Sequence, residues 1–131
     1  GPRQGTASKI QMSIRLKRVY AAPGPHDGFR ILVDRLWPRG VSRRAAHMDL
    51  WLKEVAPSTS LRQWFGHDPA KWADFRDRYY SELDSNPGAV EQLNEQVRRG
   101  VVTLVYAARD TEYNHAVALK QYLENSNNEE G

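Results

Sequence analysis

The chain of 131 residues contains no cysteine. Disulfide bonds are therefore excluded, together with thiolate nucleophiles and cysteine-based zinc sites. This removes the rhodanese-type and cysteine-phosphatase reactions, which are otherwise reasonable for a small α/β domain. The absence of cysteine also favours a reducing compartment, so we predict a cytoplasmic location.

Long apolar runs are missing as well. No stretch approaches the roughly 18 apolar residues that a membrane helix needs, and the amino end has no apolar segment of the secretory-signal type. The composition, with 40% hydrophobic and 27% charged residues, is typical of a globular protein. We therefore expect one soluble domain that makes no contact with a membrane.

Several motifs of catalysis and cofactor binding are also absent. The chain has no P-loop, no G-x-G-x-x-G fingerprint and no G-x-S-x-G nucleophile turn. Its four histidines are His26, His47, His67 and His115, and no two of them have the spacing of a zinc pair. The sequence thus predicts neither a metal nor a cofactor.

The positive charge of the chain is small once its amino end is set aside. Residues 1–11, GPRQGTASKIQ, show no periodicity, and we interpret them as an added leader in front of Met12. Without the two basic residues of that leader, Arg3 and Lys9, the formal net charge falls from +3 to +1. Sequence-independent nucleic-acid binding depends on the neutralisation of many phosphates, so a near-neutral domain gives it little support.

Three segments have the pattern of β-strands, namely 14–19, 29–33 and 101–106. The second contains a continuous apolar run, which is typical of a strand buried on both faces. Segment 48–55 fits either a strand or a helix, and Pro38 and Gly40 interrupt regular structure in 34–44.

The helices are marked by capping signals and apolar periodicity. They are predicted at 60–65, behind Asp68-Pro69, behind Asn86-Pro87, and at 111–124. Strands that alternate with helices predict an α/β domain over residues 12–124, with a small, mostly parallel sheet of three to four strands flanked by helices. Residues 125–131 are predicted to be a disordered tail.

Two polar stretches follow the strands predicted to be buried. Asp34 and Arg35 begin the first, and Arg109 and Asp110 belong to the second. Ligands of parallel sheets bind beyond the carboxyl ends of the strands, so we expect the two stretches to lie side by side around one cleft. Arginine forks and the amino end of the last helix would make that cleft attractive to phosphate or carboxylate groups.

The candidate site residues follow from this placement. Asp34 and His115 are the candidates for proton transfer, because carboxylates and histidine carry protons near neutral pH. The candidates for ligand binding are Arg35, Trp37, Arg39, Arg109, Asp110, Asn114 and His67.

Six of these residues also have a purely structural interpretation. Asp34 and Arg35 could form an ion pair that locks the loop, and Asp110 could cap a helix. Trp37 is either packed in the loop or a stacking surface for a base. Likewise His115 could be a core histidine, and His67 could serve turn formation.

Three long stretches carry a resemblance to a known family. They are DGFRILVDRLWPRG, WLKEVAPSTSLRQWFGHDP and VVTLVYAARDTEYNHAVAL, within a region from about Ile14 to Leu123. In these stretches the chain resembles the domain-of-unknown-function 488 family, specifically its short YeaO-like branch. The resemblance implies a bacterial or archaeal protein of a largely uncharacterised group. Some members carry a transcription-regulator label, but the sequence shows no winged-helix pattern.

The resemblance also implies a difference in chemistry. The wider family has a C-A-E … C-H-R pattern at its last strand and helix. On this chain the first cysteine, the glutamate, the second cysteine, the histidine and the arginine of that pattern fall on Tyr106, Ala108, Asn114, His115 and Ala116. Only the histidine is retained, so the family's thiol and carboxylate are not carried over.

The hypothesis favoured by the sequence is a domain that binds a phosphate-bearing or nucleotide-like small molecule in the strand-end cleft. Whether the domain is an enzyme stays open. A nucleic-acid-binding module that uses the arginines of 35–44 with Trp37 is the less favoured alternative, and a protein-interaction domain is the third. The oligomeric state is not predicted.

Overall fold

The computed structural model describes residues 14–130, and only the backbone for 126–130. The predicted leader, residues 1–11, lies outside the described residues. Four strands form one sheet: β1 (Ile14–Arg18), β2 (Phe29–Leu32), β3 (Leu50–Trp51) and β4 (Val102–Tyr106). Their order across the sheet is β1-β4-β2-β3, and every neighbouring pair is parallel. The predicted α/β class is therefore confirmed.

Strand β4 holds the sheet together. It pairs with β1 from Ile14 opposite Val102 and with β2 from Phe29 opposite Val102. All five of its residues are buried, because helices or loops cover both faces of the sheet. The apolar run VTLVY suits that position, since a central parallel strand has no face in contact with water.

Residues 14–130 also form five α-helices and two short 3₁₀ turns. The helices are α1 (Arg43–Ala46), α2 (Thr59–Phe65), α3 (Trp72–Asp84), α4 (Pro87–Arg99) and α5 (His115–Glu130). The 3₁₀ turns span Lys53–Val55 and Pro69–Lys71.

The ends of α2 show why these segments are helical. The side chain of Ser58 accepts a hydrogen bond from Leu61 N at the start, and Gly66 closes the end in the left-handed conformation. The side chain of Asp68 accepts from Ala70 N ahead of Pro69, as the sequence predicts.

The apolar side chains form one large and one small cluster. The large cluster places Phe75 and Tyr79 of α3 and Leu119 of α5 against Ile31 and Leu104 of the sheet. The small cluster consists of Val19, Leu32 and Val105, packed by partly buried residues that include Trp37 and Trp51. Neighbouring residues of a strand thus serve different clusters, because successive side chains point to opposite faces.

Three predicted boundaries need correction. The last helix begins at His115 rather than at 111, because Asn114 caps it instead of Asp110 or Thr111. The same helix continues to Glu130 instead of ending at 124. Segment 48–55 contains both a strand and a 3₁₀ turn, so neither single assignment is right. Segment 34–44 leads into the short helix α1. None of the helices among residues 14–130 is long and apolar enough to cross a bilayer.

Candidate functional site

A cleft of about 370 Å³ opens at the carboxyl ends of β2 and β4. This volume lies in the range of small-molecule sites, roughly 300–1,000 Å³. Most of the predicted site residues line it, namely Asp34, Arg35, Trp37, Arg39, His67, Asn114 and His115. The exposed Arg109 and its neighbour Asp110 are not among the lining residues.

Asp34 joins the two strand ends. Its Oδ2 accepts a hydrogen bond of 3.0 Å from Ala107 N, just beyond β4. Its backbone carbonyl accepts from Trp51 Nε1 at 2.8 Å, which ties the same residue to β3. The expectation that the loops after β2 and β4 lie side by side is therefore confirmed.

His115 is the first residue of α5 and reaches back to the end of β2. Its Nε2 lies 3.0 Å from Asp34 Oδ1 and 3.0 Å from the carbonyl oxygen of Val33. Both neighbours are acceptors, so Nε2 must carry a hydrogen, and Nδ1 is the nitrogen left to accept a proton. The side chains of His115 and Asp34 are 13% and 16% exposed, so the pair forms part of the cleft wall.

The hydrogen bonding at this wall is incomplete. The hydrogen bond of His115 goes to Val33, so the buried Oδ1 of Asp34 lies 3.0 Å from Nε2 of His115 but has no hydrogen bond. The buried Nε of Arg35 has no hydrogen-bond partner either. Buried polar atoms are nearly always paired in proteins, and exceptions are concentrated at functional sites.

Arg35 is anchored away from Asp34. Its Nη2 donates to the carbonyl oxygens of Ala56 and Pro57, at 3.2 and 3.3 Å. Among the ion pairs of residues 14–130, Asp34 pairs with His115 and not with Arg35. The structural ion pair considered for Asp34 and Arg35 is therefore wrong.

Two exposed arginines complete the positive wall. Arg39 lies in the loop after β2 and Arg62 lies on α2. Neither guanidinium has a hydrogen bond or ion pair within the part of the chain that the structure describes, so both are available to a ligand. Arg62 was missed because sequence patterns place it on a helix without showing which neighbouring loop the helix faces.

Asn114 and Asp110 are structural residues of the turn before α5. Asn114 is buried; its Oδ1 accepts from Val117 N at 3.0 Å and its Nδ2 donates to Asp110 O at 2.7 Å. Asp110 Oδ1 accepts from the backbone N–H groups of Glu112 and Tyr113. The Tyr113 N–H, then the Glu112 N–H, and to a lesser extent His67 lower the pKa of Asp110.

Trp37 is held by packing. Its Nε1 donates to Val41 O at 2.7 Å, and its ring meets the edge of Trp51 at 5.5 Å. The guanidinium of Arg43 lies 4.6 Å from the ring centroid. The structure therefore favours the packing interpretation over a stacking surface for a base.

Two exposed apolar residues at the cleft were also missed. Leu36 is 71% exposed and Tyr20 is 53% exposed, and both line the opening. The Tyr20 hydroxyl donates to Arg39 O at 3.3 Å, and the guanidinium of Arg18 lies 5.1 Å from its ring. Position in a loop hides such residues from periodicity arguments.

The described residues contain no group of three or more histidine, aspartate or glutamate side chains arranged to hold a metal ion.

The fold and the site define a class: a small, all-parallel α/β domain with an arginine-lined cleft at its strand ends. The chain belongs to the family described as the "Inactive DUF488-N3 subclade", whose model matches residues 13–131. The resemblance to the domain-of-unknown-function 488 family is thereby confirmed.

Curated relatives with similar sequences bear the name uncharacterized protein. The chain is 41% identical over 112 residues to the uncharacterized protein YeaO of Escherichia coli K12, covering 86% of this chain and 97% of that protein. It is 41% identical over 110 residues to uncharacterized proteins of Mycobacterium bovis and Mycobacterium tuberculosis, covering 84% of this chain and 92% of each relative. No solved structure gives a significant match.

Proposed function

We propose that the strand-end cleft binds a phosphate-bearing, nucleotide-like small molecule and does not convert it. The observation that carries this proposal is the convergence of Arg35, Arg39 and Arg62 on one cleft. The carboxylate among the lining residues, Asp34, is already bound to Ala107 N and paired with His115. The cleft is therefore positive, and arginine forks are well matched to phosphate oxygens.

The opening of the cleft supports a ligand with an apolar or aromatic part. Three large hydrophobic residues are exposed among the described residues, and two of them, Tyr20 and Leu36, line this opening. Exposed apolar groups beside a polar pocket are typical of ligand sites. An anion attached to a flat organic group would use both halves of the cleft.

Binding without conversion is supported by the family and by Asp34 and His115 themselves. The matching family is described as inactive. In this chain Nε2 of His115 faces two acceptors, and Asp34 joins two strand ends, so both residues have structural work. The cytoplasmic location predicted from cysteine usage stays a prediction.

The nucleic-acid alternative gains no specific observation. Arg43 and Arg44 are exposed on α1, but Arg43 covers the ring of Trp37 that a base would stack on. A salt titration with DNA and RNA tests that alternative, because binding through several phosphates weakens steeply with salt.

The experiment is a thermal-shift and calorimetric panel of inorganic phosphate, pyrophosphate, nucleotides and sugar phosphates. A ligand at about 100 times its Kd stabilises the folded state by about 2.7 kcal/mol and raises Tm accordingly. Arg62→Ala should weaken binding about tenfold or more, because a charge-assisted hydrogen bond is lost. Arg109→Ala, an exposed arginine outside the lining, is the matched control and should bind normally.

Chromatography after prolonged incubation with the protein measures whether the ligand has been converted. The ligand should be recovered unchanged. If no compound of the panel raises Tm, or if Arg62→Ala and Arg109→Ala behave alike, the proposed site is wrong. Turnover of a bound compound would refute only the second half of the proposal.

A further inference from the structure

The chain leaves α2 through two successive residues in left-handed conformation. Gly66 has φ 52° and His67 has φ 58°. Glycine takes this conformation without a steric penalty, whereas a residue with a Cβ adopts it uncommonly. A histidine at the second position is therefore a costly choice for the backbone, and a role for its side chain would explain it.

The imidazole of His67 is available to a ligand. The residue is exposed and lines the cleft, and its ring centroid lies 5.9 Å from that of Phe65. Within the part of the chain that the structure describes, neither ring nitrogen makes a hydrogen bond or ion pair. His115, by contrast, is engaged by Val33 and Asp34.

One carboxylate outside the cleft lining, that of Asp110, interacts electrostatically with His67. Asp110, whose pKa is lowered chiefly by the Tyr113 N–H and in part by His67, is negatively charged near neutral pH. The charged and titratable residues that line the cleft together with His67 are Asp34, Arg35, Arg39, Arg62, His115 and Tyr20. His67 is also followed in the chain by Asp68, whose Oδ1 accepts from Ala70 N.

We propose that His67 is a ligand-contacting residue of the cleft, whose imidazolium donates a hydrogen bond to the phosphate of the bound molecule. This inference rests on the proposed function. It adds a contact that strengthens as the pH falls, since only the protonated ring carries charge. The arginines stay charged at every pH considered, so their contribution to the affinity does not change with pH.

The chain offers a matched control in His47. His47 is also an exposed histidine with positive φ, 50°, at the carboxyl end of α1, but it is not among the residues that line the cleft. His67→Gly and His47→Gly each remove an imidazole from a left-handed position that glycine accepts readily. Both variants should therefore fold and melt at or above the wild-type temperature.

The experiment is calorimetric titration of the full chain with inorganic pyrophosphate and with adenosine monophosphate, at about pH 5.5 and about pH 8. The ratio of variant to wild-type Kd isolates His67, because protonation of the ligand and of the other residues affects both proteins alike. For His67→Gly we expect about a tenfold higher Kd at the acidic pH and about a twofold change at the basic pH. For His47→Gly we expect no change at either pH.

The outcomes separate this inference from the function on which it rests. If the wild type binds neither probe, the proposed function and this inference both fail. If the wild type binds and Arg62→Ala weakens binding, but His67→Gly binds like wild type at both pH values, only the inference fails. An equal loss at both pH values also overturns it, because a contact made by the imidazolium must depend on pH.

Discussion

A carboxylate lies at each end of strand β2, and the two carboxylates differ in burial and in hydrogen bonding. Asp27, just before the strand, is 4% exposed, and its carboxylate is bound by Lys17, Arg30 and the Gly24 N–H. Asp34, just after the strand, is more exposed, and its Oδ1 lacks a hydrogen bond beside a cleft of about 370 Å³. We call the Asp27 end of β2 closed, because its carboxylate is bound within the protein, and the Asp34 end open, because Oδ1 of Asp34 lacks a hydrogen bond.

This difference indicates that the Asp27 end of β2 serves stability, whereas the Asp34 end serves binding. At the closed end, burial alone would raise the pKa of Asp27, but the hydrogen bonds from Gly24, Lys17 and Arg30 outweigh it and lower that pKa to about 2. Thr103 adds a bond from its hydroxyl to Asp27 O at 2.6 Å, so this end is tied to β4 as well. A ligand gives up its own hydrogen bonds to water when it binds. Protein groups that already hydrogen-bond to each other cannot compensate for this loss.

The largest loss of stability is expected when the charge of Asp27 is removed. Asp27→Asn keeps the shape but leaves Lys17 and the buried Arg30 without their counter-charge. We expect the free energy of unfolding to fall by about 4 kcal/mol, because breaking a buried ion pair from one side leaves an uncompensated charge. Urea denaturation measures this, and a loss below about 1 kcal/mol would contradict the role assigned to the network.

A substitution at Gly28 tests the close packing of the same end. The residue has φ 66°, and a Cβ there would lie 2.3 Å from the carbonyl oxygen of Val101. Gly28→Ala should therefore cost about 3 kcal/mol, from backbone strain and steric overlap together. The matched control is Gly40→Ala in the loop after β2, where φ is 74° but an added Cβ would have no atom within 4 Å beyond the adjacent residues of the chain. It should cost about 1 kcal/mol, and equal losses would show that packing at Gly28 is unimportant.

Acid should weaken the closed end in a defined range of pH. The pKa of Asp27 is lowered in the folded state from its ordinary value of 3.8 to about 2. Its contribution is complete above the unfolded pKa and is lost as the pH falls through the folded one, so wild type should lose about 2 kcal/mol between about pH 5 and pH 2. Asp27→Asn should lack this part of the loss, and parallel acid curves for the two proteins would contradict it.

The smallest expected effect is at the open end. Asp34→Asn retains an oxygen for Ala107 N but loses the charge beside His115. We expect a loss of about 1 kcal/mol in urea denaturation, since the pair is partly exposed and Oδ1 makes no hydrogen bond. A loss as large as that of Asp27→Asn would show that both ends of β2 serve stability alike.

Strands β1, β2 and β4 and the position of the cleft could be predicted, because they depend on local patterns, whereas β3 lay in a segment that fits either a strand or a helix. The apolar run of β4 and the caps Asp68 and Gly66 are read from neighbouring residues. Asp34 was found because it follows the end of a predicted strand, and His115 because histidine carries protons near neutral pH and is retained from the family pattern. The exposed position of Arg109 outside the cleft was not predicted, because Arg109 lies in a loop beyond β4, where no periodicity sets the direction of a side chain.

The amino-acid order alone established a parallel α/β domain without thiol chemistry, with polar groups after its buried strands. Those properties depend on composition and on short periodicities, which are visible along the chain. Tertiary structure alone decided that Arg62 and Tyr20 join the cleft, that Arg35 turns to Ala56, and that Asp27 meets Lys17. Each of these contacts joins residues separated along the chain, and the packing of helices on the sheet, which no local pattern encodes, sets their distances.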